Sequence, residues 1–376
     1  MSEAVYAVIA GGGTGGHVFP ALAIGQALVR RGHAAESIRF VGSARGMEAR
    51  LVPAAGFEVV LLPGRGIARR LTRDNVGAVV GLVRAVFQAV ALVRRWRPRV
   101  VVSVGGYASF PAVVGAVVNR VPLVLHEQNA VPGLANRLAS RFAQAAAVSV
   151  PNTPLRRASL TGNPVRAEVA AADRSAQGRA TARAELSLPE GHRVVAVTGG
   201  SLGARRINEA VRGLAEQWRD RSHIAIRHVV GRRDFADFAD FADVGSAAPG
   251  EGALVYQAVE FEDRMPALLA AADVLVARAG ATTVAELAAA GVPSVLVPLP
   301  GAPGDHQTAN ARALADRGAA VLVPDAECTP ERLASELEPL LADPVRLDAM
   351  GRAAAALAHP DAADRVADLV ERHARS

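Results

Sequence analysis

Two short glycine-rich turns, each set between an apolar run and a helix-forming stretch, constrain this chain more than any other feature. In the first, Val5-Tyr6-Ala7-Val8-Ile9-Ala10 leads into Gly11-Gly12-Gly13-Thr14-Gly15-Gly16-His17. In the second, Val194-Val195-Ala196-Val197-Thr198 leads into Gly199-Gly200-Ser201-Leu202-Gly203. Strand, backbone-only turn and helix N-terminus, in that order, is how α/β domains hold phosphates. Two such units about half a chain apart predict two nucleotide-type domains with a ligand between them.

The rest of the chain agrees. Strand-like runs at 5–10, 37–41, 58–62, 100–104, 123–126 and 145–150 alternate with helical stretches, the pattern of a parallel sheet. Pro164, Gly178 and Pro189 break that rhythm, which places a boundary near Gly162. It resumes at 194–198, 224–230, 253–256, 274–277, 294–297 and 320–323, and the tail from 330 reads as helices broken at His359-Pro360. The expected organisation is a first domain over 1–162, a second over 163–345 and C-terminal helices over 346–376. A length of 376 residues suits two domains, and 51% hydrophobic residues with only 4% aromatic imply cores of Val, Leu and Ala.

Charge and cysteine narrow the function classes. All 42 basic residues are arginine, so the +6 net charge reads as compositional bias, and no nucleic-acid partner is expected. Cys328 stands alone, which excludes an intrachain disulfide or cysteine metal cluster and favours a reducing compartment. No Asp-x-Asp pair sits at a strand end and no zinc spacing occurs, so neither a tightly held metal nor a tightly bound cofactor is expected. Met1-Ser2-Glu3-Ala4 lacks a basic stretch and is read as carrying no signal peptide. Arg84, Arg94 and Arg95 interrupt the apolar window 76–96, which argues against a membrane span.

The motifs admit several chemistries. Gly11-x-Gly13-x-x-Gly16 satisfies a dinucleotide fingerprint, but the second strand ends Phe40-Val41-Gly42-Ser43-Ala44-Arg45 with no carboxylate before Glu48. Gly199-x-Ser201-x-Gly203 fits a hydrolase nucleophile elbow, with Asp305-His306 as later members of a triad. Adjacent residues serve poorly as orienter and base, so the reading favoured is a pyrophosphate held by backbone N–H groups and the Ser201 hydroxyl. His17, at the mouth of a helix, is a candidate general base. Glu286 follows the turn at Gly280, where a carboxylate suits a ribose diol. The stiff loop 298–307, with His306, Gln307 and then Asn310, suits recognition of sugar hydroxyls.

In sequence order, Gly12–Ala23, Gly105-Gly106-Tyr107-Ala108-Ser109, His126-Glu127-Gln128-Asn129, Gly162-Asn163-Pro164-Val165-Arg166, Gly199–Arg205, Gly280–Gly291 and Asp305-His306-Gln307 closely resemble the MurG family. These are peptidoglycan N-acetylglucosaminyltransferases of the glycosyltransferase family 28 type. The resemblance implies an α/β GT-B fold: two Rossmann-like, doubly wound parallel-sheet domains facing across a cleft, the last helix returning to the first. It implies inverting transfer of N-acetylglucosamine from UDP-N-acetylglucosamine to the 4-hydroxyl of lipid I, a polyprenyl-pyrophosphate-linked acceptor. Ser201 would meet the donor pyrophosphate and Glu286 the ribose, with Ala281, Thr282 and Thr283 lining the nucleotide site. Phe261 and Glu262 would lie near uracil through their backbone, and Gln307 would read the sugar. Asn129 and Arg166 would approach the donor from the other domain. Thr14, Gly15 and Gly16 would face the acceptor pyrophosphate, His17 would act as base, and Glu127 is the alternative base. Ala279 stands where many relatives carry serine, and His306 where many carry glutamine. A UDP-sugar epimerase or a GT-B transferase with another acceptor are the rival readings.

The same resemblance implies a peripheral protein at the cytoplasmic face of the membrane, with cell-wall synthesis and division proteins as partners. Val79, Val83, Val86, Phe87 and Val90, flanked by Arg69, Arg70, Arg73, Arg94 and Arg95, form the apolar and basic face expected to rest on anionic lipid.

Overall fold

The computed structural model describes residues 5–44, 46–63, 74–200, 203–241 and 252–376; Arg45, Arg69, Arg70, Arg73 and Ser201 therefore lie outside the described residues. The chain divides into two compact units, residues 1–166 with 359–376, and residues 167–358.

The first unit holds a seven-stranded sheet built from β1 (Ala7–Ala10), β2 (Ile38–Ser43), β3 (Glu58–Leu62), β4 (Val100–Ser103), β5 (Leu123–Glu127), β6 (Ala145–Val148) and β7 (Ala158–Leu160). Their order is β3-β2-β1-β4-β5-β6-β7, parallel throughout. The second holds six: β8 (Arg193–Thr198), β9 (Ile224–Val229), β10 (Val255–Val259), β11 (Val274–Ala277), β12 (Ser294–Leu296) and β13 (Ala320–Leu322). Here the order is β10-β9-β8-β11-β12-β13, again parallel. In both sheets the order reverses beside the strand that precedes the glycine turn, β1 or β8. That reversal opens the crevice in which doubly wound proteins bind ligands.

Strand periodicity explains the double winding. Ala7 and Ile9 of β1 enter one core cluster while Val8 and Ala10 enter another; Val194 and Ala196 of β8 separate in the same way from Val195 and Val197. Alternate residues point to opposite faces, so each sheet needs apolar helices on both sides. Small residues let those helices approach: a methyl group on Gly115 would lie 3.0 Å from Ala89 O.

The strand missing from the sequence reading is β7, a three-residue, exposed edge with no apolar signal to announce it. The unit boundary falls after Arg166 rather than at Gly162, and the Pro344–Ala355 helix goes with the second unit. The Ala362–His373 helix belongs to the first, where Val366, Ala367 and Val370 share a core with Ile9 and Ile24. Arg31 clasps it through Glu371 at 2.7 Å and Asp368 at 2.5 Å.

Candidate active site

In the first unit β1 runs into Gly11–Gly13, where Gly12 and Gly13 take φ of 149° and 95°. A methyl group on Gly11 would sit 2.1 Å from Val104 Cγ2, so only glycine fits between β1 and β4. The Gly15–Arg30 helix then starts at Thr14 without a side-chain cap, leaving an N-terminus suited to an anion. His17 lies in its first turn, half-buried, with Nδ1 3.4 Å from Thr14 Oγ1. Its ring is laid along the glycine pair that follows β4. A methyl group on Gly106 would be 3.6 Å from His17 Nδ1 and 2.9 Å from Gly12 O. Tyr107 covers Gly13 and donates from its hydroxyl to Ser43 Oγ at 3.0 Å.

Glu48, which seemed too far along the chain to serve the end of β2, folds back under it. Its buried carboxylate accepts from Ser43 N at 2.7 Å and Gly13 N at 2.9 Å. Methyl groups on Gly12, Gly42 or Gly46 would all fall within 2.3 Å of the Glu48 side chain. This acid therefore ties β2 to the glycine turn, using its oxygens on the turn itself rather than presenting them to a ribose.

Beside the turn, β5 ends in His126-Glu127. Glu127 is buried and accepts from Asn129 N (3.1 Å), Asn129 Nδ2 (3.2 Å), Gly133 N (3.0 Å) and Asn136 Nδ2 (3.0 Å). Both its oxygens thus organise the loop 129–136. Arg166 lies in the same unit as His17, its guanidinium 4.5 Å above the Phe19 ring.

The second unit repeats the plan. After β8, Gly200 and Gly203 take φ of 85° and 80°. A methyl group on Gly199 would lie 2.3 Å from Ala204 N, and one on Gly203 2.3 Å from Val230 O, so the turn admits no side chains there. The Arg205–Gln217 and Ala281–Ala290 helices both begin without a side-chain cap, after β8 and β11 respectively. Ala281, Thr282 and Thr283 form the first turn of the latter, and buried Glu286 the next. Asn310 is buried and donates to Ala279 O at 3.2 Å, and Gln307 Oε1 accepts from Leu299 N at 2.9 Å. Both side chains shape the loops around the β11 end. His306 donates from Nδ1 to Pro303 O at 2.9 Å. After β10 comes exposed Phe261, then buried Glu262, whose Oε2 accepts from Arg227 Nε at 3.1 Å and Nη2 at 2.7 Å.

The sequence reading missed a buried network behind the second turn. His228 Nε2 donates to Asn208 Oδ1 at 3.0 Å, and the Tyr256 hydroxyl donates to Nδ1 at 2.7 Å. Asn208 Nδ2 in turn donates to Val230 O and Asp234, both at 3.0 Å. A histidine inside an apolar strand gave no chemical signal of its own. Burial pushes His228 down to about 3, and burial pushes His126 down to about 4 despite its bond to Gly162 O. Unfolded histidine titrates near 6.5, so between there and the folded values the unfolded chain binds more protons. Stability is full above about pH 6.5 and is expected to fall by about 3 kcal/mol per histidine as pH drops toward 4. Urea unfolding at pH 7 and pH 4.5 checks this; a pH-independent midpoint would contradict it.

Among the described residues no group of three His, Cys, Asp or Glu side chains could hold a metal ion.

The comparisons with known proteins agree with this layout. The glycosyltransferase family 28 N-terminal domain matches residues 7–148, and the C-terminal domain matches residues 194–366. A Nocardioides protein named UDP-N-acetylglucosamine–N-acetylmuramyl-(pentapeptide) pyrophosphoryl-undecaprenol N-acetylglucosamine transferase is 44% identical over 367 residues, 96% of each chain. The protein of the same name from Desulforudis audaxviator is 40% identical over 371 residues, 97% of each chain. The crystal structure of Acinetobacter baumannii MurG aligns with a TM-score of 0.73 at 31% identity, covering 98% of this chain and 99% of that one. Two parallel sheets of reversed strand order, two glycine turns opening uncapped helices and full-length similarity of this degree lead to one assignment: the chain belongs to glycosyltransferase family 28 and has the GT-B fold.

Proposed function

We infer that this chain is a UDP-N-acetylglucosamine-dependent hexosyltransferase of peptidoglycan synthesis, moving N-acetylglucosamine onto an N-acetylmuramyl-(pentapeptide) pyrophosphoryl-undecaprenol acceptor to give lipid II. The observation that carries the reading is 44% identity over nearly the whole of a relative bearing that activity in its name. Within it, the uncapped helix at Ala204 and the neighbouring Ser201 would take the donor pyrophosphate, and Glu286 the ribose. Ala281, Thr282 and Thr283 would line the nucleotide, with the backbone of Phe261 and Glu262 at uracil and Gln307 and His306 at the sugar. Asn310 would act indirectly, by holding Ala279. Thr14, Gly15 and Gly16 would face the acceptor pyrophosphate, and Asn129 and Arg166 the donor.

His17 is the proposed base. The acceptor oxygen attacks the anomeric carbon as the bond to the β-phosphate breaks, the proton passes to the imidazole and UDP departs with the bonding pair. Attack from the face opposite the leaving group inverts the centre. Uncapped helix ends oppose the negative charge that develops on the leaving group. Glu127 is the weaker alternative, because its oxygens are already committed. Radiolabelled UDP-N-acetylglucosamine with a short-chain lipid I analogue tests the function. Labelled disaccharide supports it; an epimerised nucleotide sugar without acceptor, or hydrolysis alone, defeats it.

The reading includes a peripheral site at the cytoplasmic membrane face. The Asp74–Trp96 helix is the one described helix long and apolar enough to cross a bilayer, yet Ala85, Ala89 and Val93 are buried in the first unit's core. Its other face exposes Val79, Val80, Val83 and Phe87, the last by 72%, whereas Val86 and Val90 are half-buried. A one-sided apolar face fits an interfacial helix better than a span. Phe87→Glu is expected to reduce co-sedimentation with anionic vesicles severalfold; unchanged sedimentation would refute this face as the contact.

A further inference from the structure

The second unit carries a cavity of about 490 Å³ on the edge of its sheet opposite the glycine turn. Its residues mark strand beginnings: Arg193 starts β8, Asp273 directly precedes β11, and Pro293 directly precedes β12. The proposed donor loops follow the other ends of the same strands. At about 3.3 Å per residue, the four residues of β11 and six of β8 separate the two edges by roughly 13–20 Å.

The cavity is unusually rich in guanidinium groups. Arg174, Arg179, Arg193 and Arg352 line it against the carboxylates of Asp273 and Asp348. Asp273 is buried and already serves three arginines: Arg179 Nη2 at 2.5 Å, Arg183 Nη2 at 2.9 Å and Arg193 Nη1 at 3.5 Å. It also accepts from Val194 N at 2.7 Å. Arg174 is held by backbone oxygens at the end of the Met265–Ala271 helix, including Ala272 O at 2.8 Å, rather than by a carboxylate. With Arg183 included, five positive charges face two negative ones. Burial, reinforced by repulsion from Arg179, pushes Arg174 down to about 10. The group is thus short of anion.

We propose that this cavity is a second, non-donor binding site for a soluble anion carrying at least two phosphate groups. Net charge of three matches a diphosphate better than a monovalent ion, guanidinium forks fit phosphate oxygens, and the volume lies within the usual range for small ligands. A recess between helices favours a soluble anion over a headgroup in a flat bilayer.

The test is calorimetric titration of the full chain with inorganic pyrophosphate, with and without saturating UDP. Binding is expected in both conditions, and Arg193→Glu is expected to weaken it at least tenfold. Arg352, paired with Asp348 at an exposed helix position away from the Asp273 cluster, gives a second variant: Arg352→Gln adds no carboxylate beside Asp348 and is expected to weaken binding similarly, at a cost to stability of no more than about 1 kcal/mol. Binding abolished by UDP would mean a single shared site and overturns the proposal. So would binding indifferent to both variants, or sulfate binding as tightly as pyrophosphate, which would mark an adventitious ion only. Phosphatidic-acid vesicles that bind through Arg352 while free pyrophosphate does not would assign the site to a lipid headgroup and overturn it equally.

Discussion

Replacing His17 with alanine is expected to lower turnover by about 10²–10⁴-fold, the usual contribution of a positioned general base. UDP affinity should stay within about twofold, since a substitution outside the UDP-holding loops removes no donor contact and changes kcat alone. The imidazole is fixed from two sides: Thr14 Oγ1 approaches Nδ1 at 3.4 Å, and the Gly105–Gly106 backbone supports the ring. Asparagine and glutamine would fill part of the space without accepting a proton, so neither should rescue. Product formation gives turnover and calorimetry gives UDP affinity. Lost UDP binding with normal turnover per bound donor would refute the assignment. Glu127→Gln provides the contrast: its amide cannot accept all four N–H donors that the carboxylate accepts, so it should disturb the loop 129–136, and with it donor affinity through Asn129, more than the chemical step.

Much of this architecture was legible in the sequence because parallel strands buried on both faces are written as short apolar runs. The runs at 5–10 and 194–198 match β1 and β8 closely, and Gly11, Gly199 and Gly203 after them sit where a methyl group would strike backbone or core. What stayed hidden depends on chain reversal rather than on pattern. Glu48 lies outside any strand-end motif, yet a helix beginning at Glu48 brings its carboxylate back under Gly12 and Gly42. β7 is three exposed residues whose existence depends on β6 offering an edge. His228 and Asn208 look ordinary in a strand and a helix until the fold places them 3.0 Å apart. Spacing suggests Asn310 for sugar recognition, but not that its buried Nδ2 donates to Ala279 O just before the Ala281–Ala290 helix.

Arg227→Met is expected to destabilise the second unit by about 3 kcal/mol, because it leaves the buried Glu262 carboxylate with only the longer 3.5 Å pairing to Arg264 Nε. Arg227 lies mid-strand on β9, opposite Gln257 of β10 and Ala196 of β8, with its side chain largely buried. Two of its nitrogens bond Glu262 Oε2 and a third bonds Gln257 Oε1 at 2.7 Å. Glu262 Oε1 meanwhile accepts from Arg264 N at 3.1 Å, fixing the turn that carries Phe261. Removing both charges together should cost far less than removing one, since desolvating a carboxylate and a guanidinium nearly offsets their mutual attraction. The double variant Arg227→Met with Glu262→Leu should therefore recover most of the lost stability in urea unfolding. It should not recover donor affinity, because Arg264 N then has no carboxylate to hold the turn proposed to face uracil. Stability and donor KM would separate in that variant; if both return together, the pair acts on the donor only by keeping the unit folded.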